Sequence, residues 1–503
     1  MIQGDNLGAT SSGLPDDGRV VLTDLLDWDR PRLYRRAEVE AAADACARGL
    51  LRRGLRRGDA VAILSANRAE FVLAMLGIMR AGLVAVPVNP KLPRETVEYI
   101  FADALVRHVL CDGARRALVS PALGLTDYDA TDASGYDALL EPGAFDAVHP
   151  AAGETAMVLY TSGSTGTPKG VPLSHDGQLW ALRARCVRGW PFDAHRLLVA
   201  APLYHMNGLC TTLFAVCAAS LVLMPGFDAR QYLQAVERFR CTWLTGVPPM
   251  LAMCLRETDL LASPAYADVA TVRLGSAPIT PSLWQDVQAL FPNALLLNGY
   301  GTTEAGPIVC GPRPDRAMPP LSIGWPVQGV ELRLVDAEGR DADEGVLWQR
   351  TPSMMAGYLN LPEKTREVLT PDGWYVSGDI FRRDADGAYY FIGRADDMFV
   401  CGGENVFPGE VENLLERHPE IMQACVVPVP DEIKGEKPFA FVVAKGGSTL
   451  SEDDVKRYAL EHGPAYQHPR RVCFVDALPL AGPNKVDRNG LKQRAAELWR
   501  VAA

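Results

Sequence analysis

The sequence holds no CxxC pair and no cysteine–histidine cluster at zinc-site spacing, although 11 cysteines are scattered from Cys46 to Cys473. An odd, unpatterned set argues against a disulfide framework and against structural zinc; it reads as the reduced thiols of a cytoplasmic protein. Long hydrophobic runs are missing too. The most apolar stretch, near Leu209–Met224, is too short and too interrupted by Cys, Thr and Ser to span a bilayer, and is expected to be a buried helix or strand. Met1 to Asp17 is polar and Gly-rich and lacks the apolar core of a signal peptide. Positive charge is in deficit: 50 Lys and Arg face 61 Asp and Glu, a formal charge of -11. Such a chain is a poor generic binder of nucleic acid. An anionic small molecule is not excluded, because local positive potential at a site can oppose the global field. A Walker A loop is also absent, since Pro168 precedes Lys169 and Gly170 follows it.

What is present is an ordinary globular mixture, 48% hydrophobic and 22% charged, over 503 residues. That length exceeds one compact core and implies two or more domains. Apolar periodicity predicts helices over 37–55 and 69–79 and strands over 60–64, 84–88 and 109–111, a βαβ spacing that points to a parallel sheet. The Asp-, Ala-, Gly- and Pro-rich segment 121–153 reads as a surface excursion. Further strands are expected at 157–160, 197–202, 221–224, 243–247, 271–275 and 295–298, with helices at 232–239 and 249–257 between them. From 323 to 392 short strands broken by Gly and Asp suggest a β-rich subdomain. The charged, Gly-rich stretch 393–403 reads as a linker, and 408–499 as a compact alternation of helices and strands. The expected class is therefore α/β: a large N-terminal body of parallel-rich sheets with helices plus a β-rich subdomain (1–394), a hinge (395–397) and a small α+β domain (398–503).

Two loops carry recognisable chemistry. After an apolar strand comes Tyr160-Thr161-Ser162-Gly163-Ser164-Thr165-Gly166-Thr167-Pro168-Lys169. Glycines let backbone N–H groups approach phosphate oxygens, hydroxyls add hydrogen bonds, and Lys169 adds a point charge. The second is Asn298-Gly299-Tyr300-Gly301-Thr302-Thr303-Glu304. Here Thr303 can meet a phosphate, and Glu304 is a suitable oxygen ligand for a Mg²⁺ that bridges phosphates. Alone, the first loop could be a flexible surface loop and Glu304 a solvated glutamate at a helix start.

Together these segments resemble the signature loops of the adenylate-forming superfamily, which includes acyl-CoA synthetases, adenylation domains of nonribosomal peptide synthetases and beetle luciferases. Others fall in the expected order: Gly275-Ser276-Ala277-Pro278, Gly373–Asp379, Ile392-Gly393-Arg394, Arg394–Asp397, Cys401–Asn405 and Asn484–Arg488. The resemblance runs from about Ala37 to Lys492 and leaves the first 36 residues unassigned. It implies that Tyr300 lies against adenine, that Gly275–Pro278 line the nucleotide's other side, and that Asp379 accepts from both ribose hydroxyls. Ile392 and Arg394 would also reach the nucleotide. Asp396 would be the hinge about which the small domain turns, with Gly402, Gly403 and Glu404 near the coenzyme A thiol path afterwards. Lys485 would reach the carboxylate being activated and, with Glu304, Thr161 and His205, form the catalytic set.

The implied reaction is ATP-dependent ligation of a carboxylic acid to coenzyme A, through an acyl-adenylate. Pro202–Gly208 matches the segment that shapes the acyl pocket: His205, Met206, Asn207 and Gly208, joined by Thr245, Gly246 and Val247. None of these is Arg or Lys, which argues against a malonate-like diacid. Overall size and the segment 402–405 look most like aryl- and medium-chain acid–CoA ligases of the chlorobenzoate or hydroxycinnamate type. Three alternatives stay open: an enzyme that loads a carrier-protein thiol, a catalytically inactive ligand-binding relative, and the malonate-like diacid–CoA ligase itself. The first predicts a pocket aspartate after His205 and the second a broken Lys485 or Glu304; neither is found. A homodimer through the large domain is a guess that the sequence does not decide.

Overall fold

The computed structural model describes residues 2, 4–10, 17–161, 167–186, 192–402, 404–431, 433–481 and 485–501. Two parallel-rich sheets organise the large body. One, seven-stranded, runs in the order Leu295–Gly299, Thr271–Gly275, Trp243–Gly246, Arg196–Val199, Ser220–Leu223, Val20–Asp24 and Arg32–Arg35. The other, six-stranded, runs Gly124–Asp127, Val106–Cys111, Ala60–Leu64, Val84–Pro87, Thr155–Thr161 and Lys169–Ser174. Each sheet is parallel except for one antiparallel edge pair. Strands such as Ala60–Leu64 are buried along their whole length, as a parallel strand covered on both faces requires.

Helices fill the space between the sheets. Ala69–Arg80 is buried at every position, and Met206–Ala218 at all but its second and last. Both join one apolar cluster with Leu22 and Leu197 of the first sheet and Val61 and Ala85 of the second. Arg80 is tolerated there because Glu40 and Asp44 each lie 2.6 Å from its guanidinium. Two sequence expectations need correction. The unassigned N-terminal segment contributes Val20–Asp24 and Arg32–Arg35 to the first sheet, with Asp27–Pro31 in the turn between them. The supposed excursion 121–153 adds Gly124–Asp127 to the second sheet and buries Tyr136 and Leu139.

A four-stranded antiparallel sheet, from Glu331–Val335 to Tyr389–Arg394, follows as expected of the β-rich region. The unpaired stretch beyond it is shorter than the predicted linker. Arg394 still pairs with Asp379, and Phe399–Cys401 already pairs with Glu404–Val406, so only 395–398 stands between strands. The C-terminal portion packs Pro408–Leu415 and Glu452–His462 on one face of its sheet and Arg488–Val501 on the other. Among the described residues, no helix is long and apolar enough to cross a membrane.

Candidate active site

Parallel strands leave a crevice outside their carboxyl ends, where loops can bring side chains together. Here that crevice is a cavity of about 1830 Å³. Its wall includes residues just past strand ends: Thr161, Pro202, Val247, Ser276 and Tyr300. The β-rich sheet adds Asp379, Ile392 and Arg394, and the C-terminal portion adds Lys485 and Arg488.

Asp379 is the polar centre of one half. Tyr300 Oη donates to its Oδ2 at 2.5 Å, and Arg394 Nη1 donates to its Oδ1 at 3.1 Å. Burial raises the Asp379 pKa, and Arg394 and Tyr300 oppose that rise. Arg394 also binds Asp396 at 2.7 Å. The Tyr300 ring stands edge-on to Phe381, with centroids 4.7 Å apart. Beside it, Ser276 takes a left-handed backbone (φ 66°), a costly conformation for serine. Gly275 is needed for a different reason: a Cβ there would lie 2.6 Å from the Gly299 carbonyl oxygen. The two strand ends meet backbone to backbone.

The other half holds hydroxyl and carboxylate groups. Thr161 Oγ1 is buried without a hydrogen-bond partner among the described residues, and Thr161 lines the cavity. Glu304 Oε1 accepts from Tyr358 Oη at 2.9 Å, and Lys169 Nζ donates to the same phenol at 3.3 Å. Lys169 therefore stands behind Glu304 rather than in the cavity wall. Tyr358 was not anticipated, since nothing near it in the sequence points to a glutamate 54 positions away.

Lys485 lies in a short strand, Lys485–Val486, paired with Leu480–Ala481 just before the last helix. It keeps water contact, yet protein encloses it; desolvation lowers its pKa while Asp379 pulls it up. Its charge also reaches His205, whose pKa burial has already driven down to about 4. His205 is thus neutral near pH 7, with Nε2 buried and without a partner. A lysine from one end of the chain and a histidine from the middle share one space with Glu304 and Asp379.

Met206, Asn207, Gly208 and Val247 line the cavity, as do Gly275–Pro278, Asn298–Gly301, Thr302 and Thr303. Thr245 and Gly246 lie behind the wall, and Asp396 is held against Arg394 outside it. Gly402 and Glu404 are exposed at a turn away from the cavity. Ser162, Gly163, Ser164, Thr165, Gly166, Gly403 and Asn484 fall outside the described residues. Many cavity residues were missed, among them Arg185 and Arg273. The acyl segment indeed lacks a cation, but neighbouring elements supply two. A charged residue inside the short parallel strand Thr271–Gly275 was the available signal.

Residues 17–359 match the family described as AMP-binding enzyme, and 410–485 match the AMP-binding enzyme C-terminal domain. The chain belongs to the AMP-binding enzyme family. It is 31% identical to 4-coumarate–CoA ligase 1 of Solanum tuberosum, over 94% of this chain and 91% of that protein. It is 32% identical to the sulfoacetate–CoA ligase of Cupriavidus necator, over 88% and 89% of the two chains. The crystal structure of ATP-bound MatB from Rhodopseudomonas palustris superposes with a TM-score of 0.88 at 28% identity, covering 99% of this chain and all of that one. The family match to the C-terminal domain ends on Lys485. The AMP-binding family thus accounts for both portions of the chain that face the cavity.

Proposed function

We propose that this protein is an AMP-forming carboxylic acid–CoA ligase. The observation that carries this reading is the convergence of Lys485, His205, Glu304 and Asp379 on one cavity in a chain of the AMP-binding family. The similarity to two named CoA ligases over most of each chain supports it.

In the first step a carboxylate oxygen attacks the α-phosphorus of ATP, and the bond to the β-phosphate breaks to release pyrophosphate. Both reactants are anions. Lys485 lowers their repulsion and stabilises charge on the transferring phosphoryl group. Asp379 accepts from the ribose hydroxyls, with Arg394 holding it in place; Tyr300 packs against the base. Thr161 and Thr303 meet phosphate oxygens. Mg²⁺ shares its ligands with phosphates and water, so the single carboxylate of Glu304 fits it, and the ion would neutralise the leaving pyrophosphate. Tyr358 keeps that carboxylate in one orientation. His205, uncharged, borders the carboxylate without competing with Lys485 for it.

In the second step the coenzyme A thiolate attacks the acyl carbon and AMP leaves. Lys485 lines the cavity in the present arrangement, as adenylation would require. A turn of residues 398–503 about Asp396 would withdraw Lys485 and bring Gly402 and Gly403 to the acyl group, where the lack of side chains would leave room for a thiol arm. The test is to supply Mg-ATP, coenzyme A and a broad panel of acids. AMP, pyrophosphate and acyl-CoA should appear in equal amounts; a total absence of AMP would end the proposal.

A further inference from the structure

The reading of the cavity as an acyl-adenylating site leaves several of its charges without work, among them two arginines. Arg273 lies in the strand Thr271–Gly275, and Arg185 caps the helix His175–Ala184; both line the cavity. Among the described residues, neither forms an ion pair, although the protein has many elsewhere. Arg273 Nη2 donates only to the Pro307 carbonyl oxygen, at 3.2 Å, and Arg185 Nη1 donates to Thr211 Oγ1, at 3.3 Å. Arg185 Nε is buried with no hydrogen-bond partner among the described residues.

The two cations also oppose each other. Desolvation, and next the charge of Arg185, push the Arg273 guanidinium down to about 9. Enclosed, mutually repelling guanidinium groups are unfavourable in a free protein unless an anion joins them. The fold makes room for this cost: a side chain at Gly299 would place its Cβ 2.6 Å from Arg273 Nε.

Their position separates them from the reacting end. Cys210 and Thr211, which Arg273 and Arg185 approach, belong to the helix that begins just after His205. Cys210 is about 7.5 Å along the helix axis beyond His205. The phosphate-facing groups, Thr161 and Glu304, are held by other elements, with Glu304 bound to Tyr358.

We propose that Arg273 and Arg185 bind a second anionic group at the far end of the acid, so that the substrate class is a carboxylic acid bearing a further carboxylate or sulfonate. This rests on the ligase reading of the same cavity. Guanidinium forks match either oxyanion through paired N–H donors. The distance along the helix favours an acid whose two anionic ends are several bonds apart. A neutral tail in that place would leave both half-buried cations without an anionic partner, a strong form of discrimination in a polar pocket. The absence of a cation in the segment 205–208 therefore does not exclude diacids.

The experiment measures AMP release by the full-length enzyme with Mg-ATP and coenzyme A. The panel pairs α,ω-dicarboxylates and ω-sulfo-carboxylates of four to six carbons with their neutral isosteres, the monomethyl esters and simple monoacids, plus aryl acids with and without a second carboxylate. The wild type should favour an anionic member over its neutral partner in kcat/KM by about 100-fold or more. The carboxylate and sulfonate arms tell the two headgroups apart. Preference for neutral acids would overturn the proposal and leave the ligase reading intact; no AMP from any acid would instead remove the ligase reading. In Arg273→Gln the anionic-to-neutral ratio should fall by about 100-fold, and Arg273→Lys should restore part of it. A rise in the KM for ATP with the acid ratio unchanged would assign Arg273 to the nucleotide and overturn the proposal. Should Arg273→Gln not fold, Arg185→Gln is read by the same ratio, and the wild-type preference alone still decides.

Discussion

The proposed mechanism needs Lys485 in one half-reaction and places it in the way during the other, so its removal should separate them. Lys485→Ala is expected to lower adenylate formation by at least about 100-fold, while thioester formation from supplied acyl-AMP and coenzyme A continues. Equal loss in both assays would deny the role assigned. Tyr358 acts through another residue: its phenol joins Lys169 to Glu304. Tyr358→Phe leaves both charges without that shared partner and should reduce kcat/KM for ATP by roughly 10-fold, with added Mg²⁺ recovering part of the loss. An unchanged Mg²⁺ dependence would make Tyr358 a packing residue only. Lys485, Glu304 and Asp379 were legible in the sequence because each sits in a short motif whose neighbours restrict its chemistry. Tyr358, Arg185 and Arg273 were not, because their meaning comes from partners brought close only by folding.

At the scale of elements, the parallel strands announced themselves. Ala60–Leu64 stands where uninterrupted apolar residues placed it, because strands buried on both faces rarely spare polar positions. Gly124–Asp127 was hidden: it is an edge strand, partly exposed, within a segment rich in turn formers. The turn residues dominated its composition, and only its pairing with Val106–Cys111 makes it a strand. The strand ends proposed to frame the nucleotide meet closely at Gly275. Gly275→Val would force that strand end away from Gly299 and should weaken AMP binding by about 10-fold or more in calorimetry, with a smaller effect on melting temperature. Tight AMP binding by the variant would show that the contact is not needed to shape the nucleotide side.

For the whole molecule, three enclosed histidines make stability pH-dependent. Burial drives His108, His175 and His205 each to about 4, against about 6.5 in an unfolded chain. The unfolded state then binds more protons between these values, so stability falls as pH drops from about 6.5 to 4, by up to about 3 kcal/mol per histidine. Glu416 works the other way: burial raises it to about 7, so its contribution favours the folded state as pH falls through that value. Three groups against one leave a net loss. Urea midpoints should decline steadily from pH 7 to pH 4.5, and His108→Asn should flatten the curve; a midpoint constant over that range would contradict these assignments. The sequence suggested a large and a small portion, and separate family matches cover 17–359 and 410–485. Their meeting at one cavity was not legible, because it depends on how Lys485–Val486 is carried back towards the ends of strands far earlier in the chain.

The central claim is that an acid oxygen is transferred to the α-phosphate of ATP in this cavity. It can be followed by labelling both carboxylate oxygens of an active acid with ¹⁸O, running the complete reaction with coenzyme A, and weighing the nucleotide product. One labelled oxygen should appear in AMP and none in pyrophosphate. Unlabelled AMP, or label in inorganic phosphate beside ADP, would mean that the acid is not activated as an adenylate.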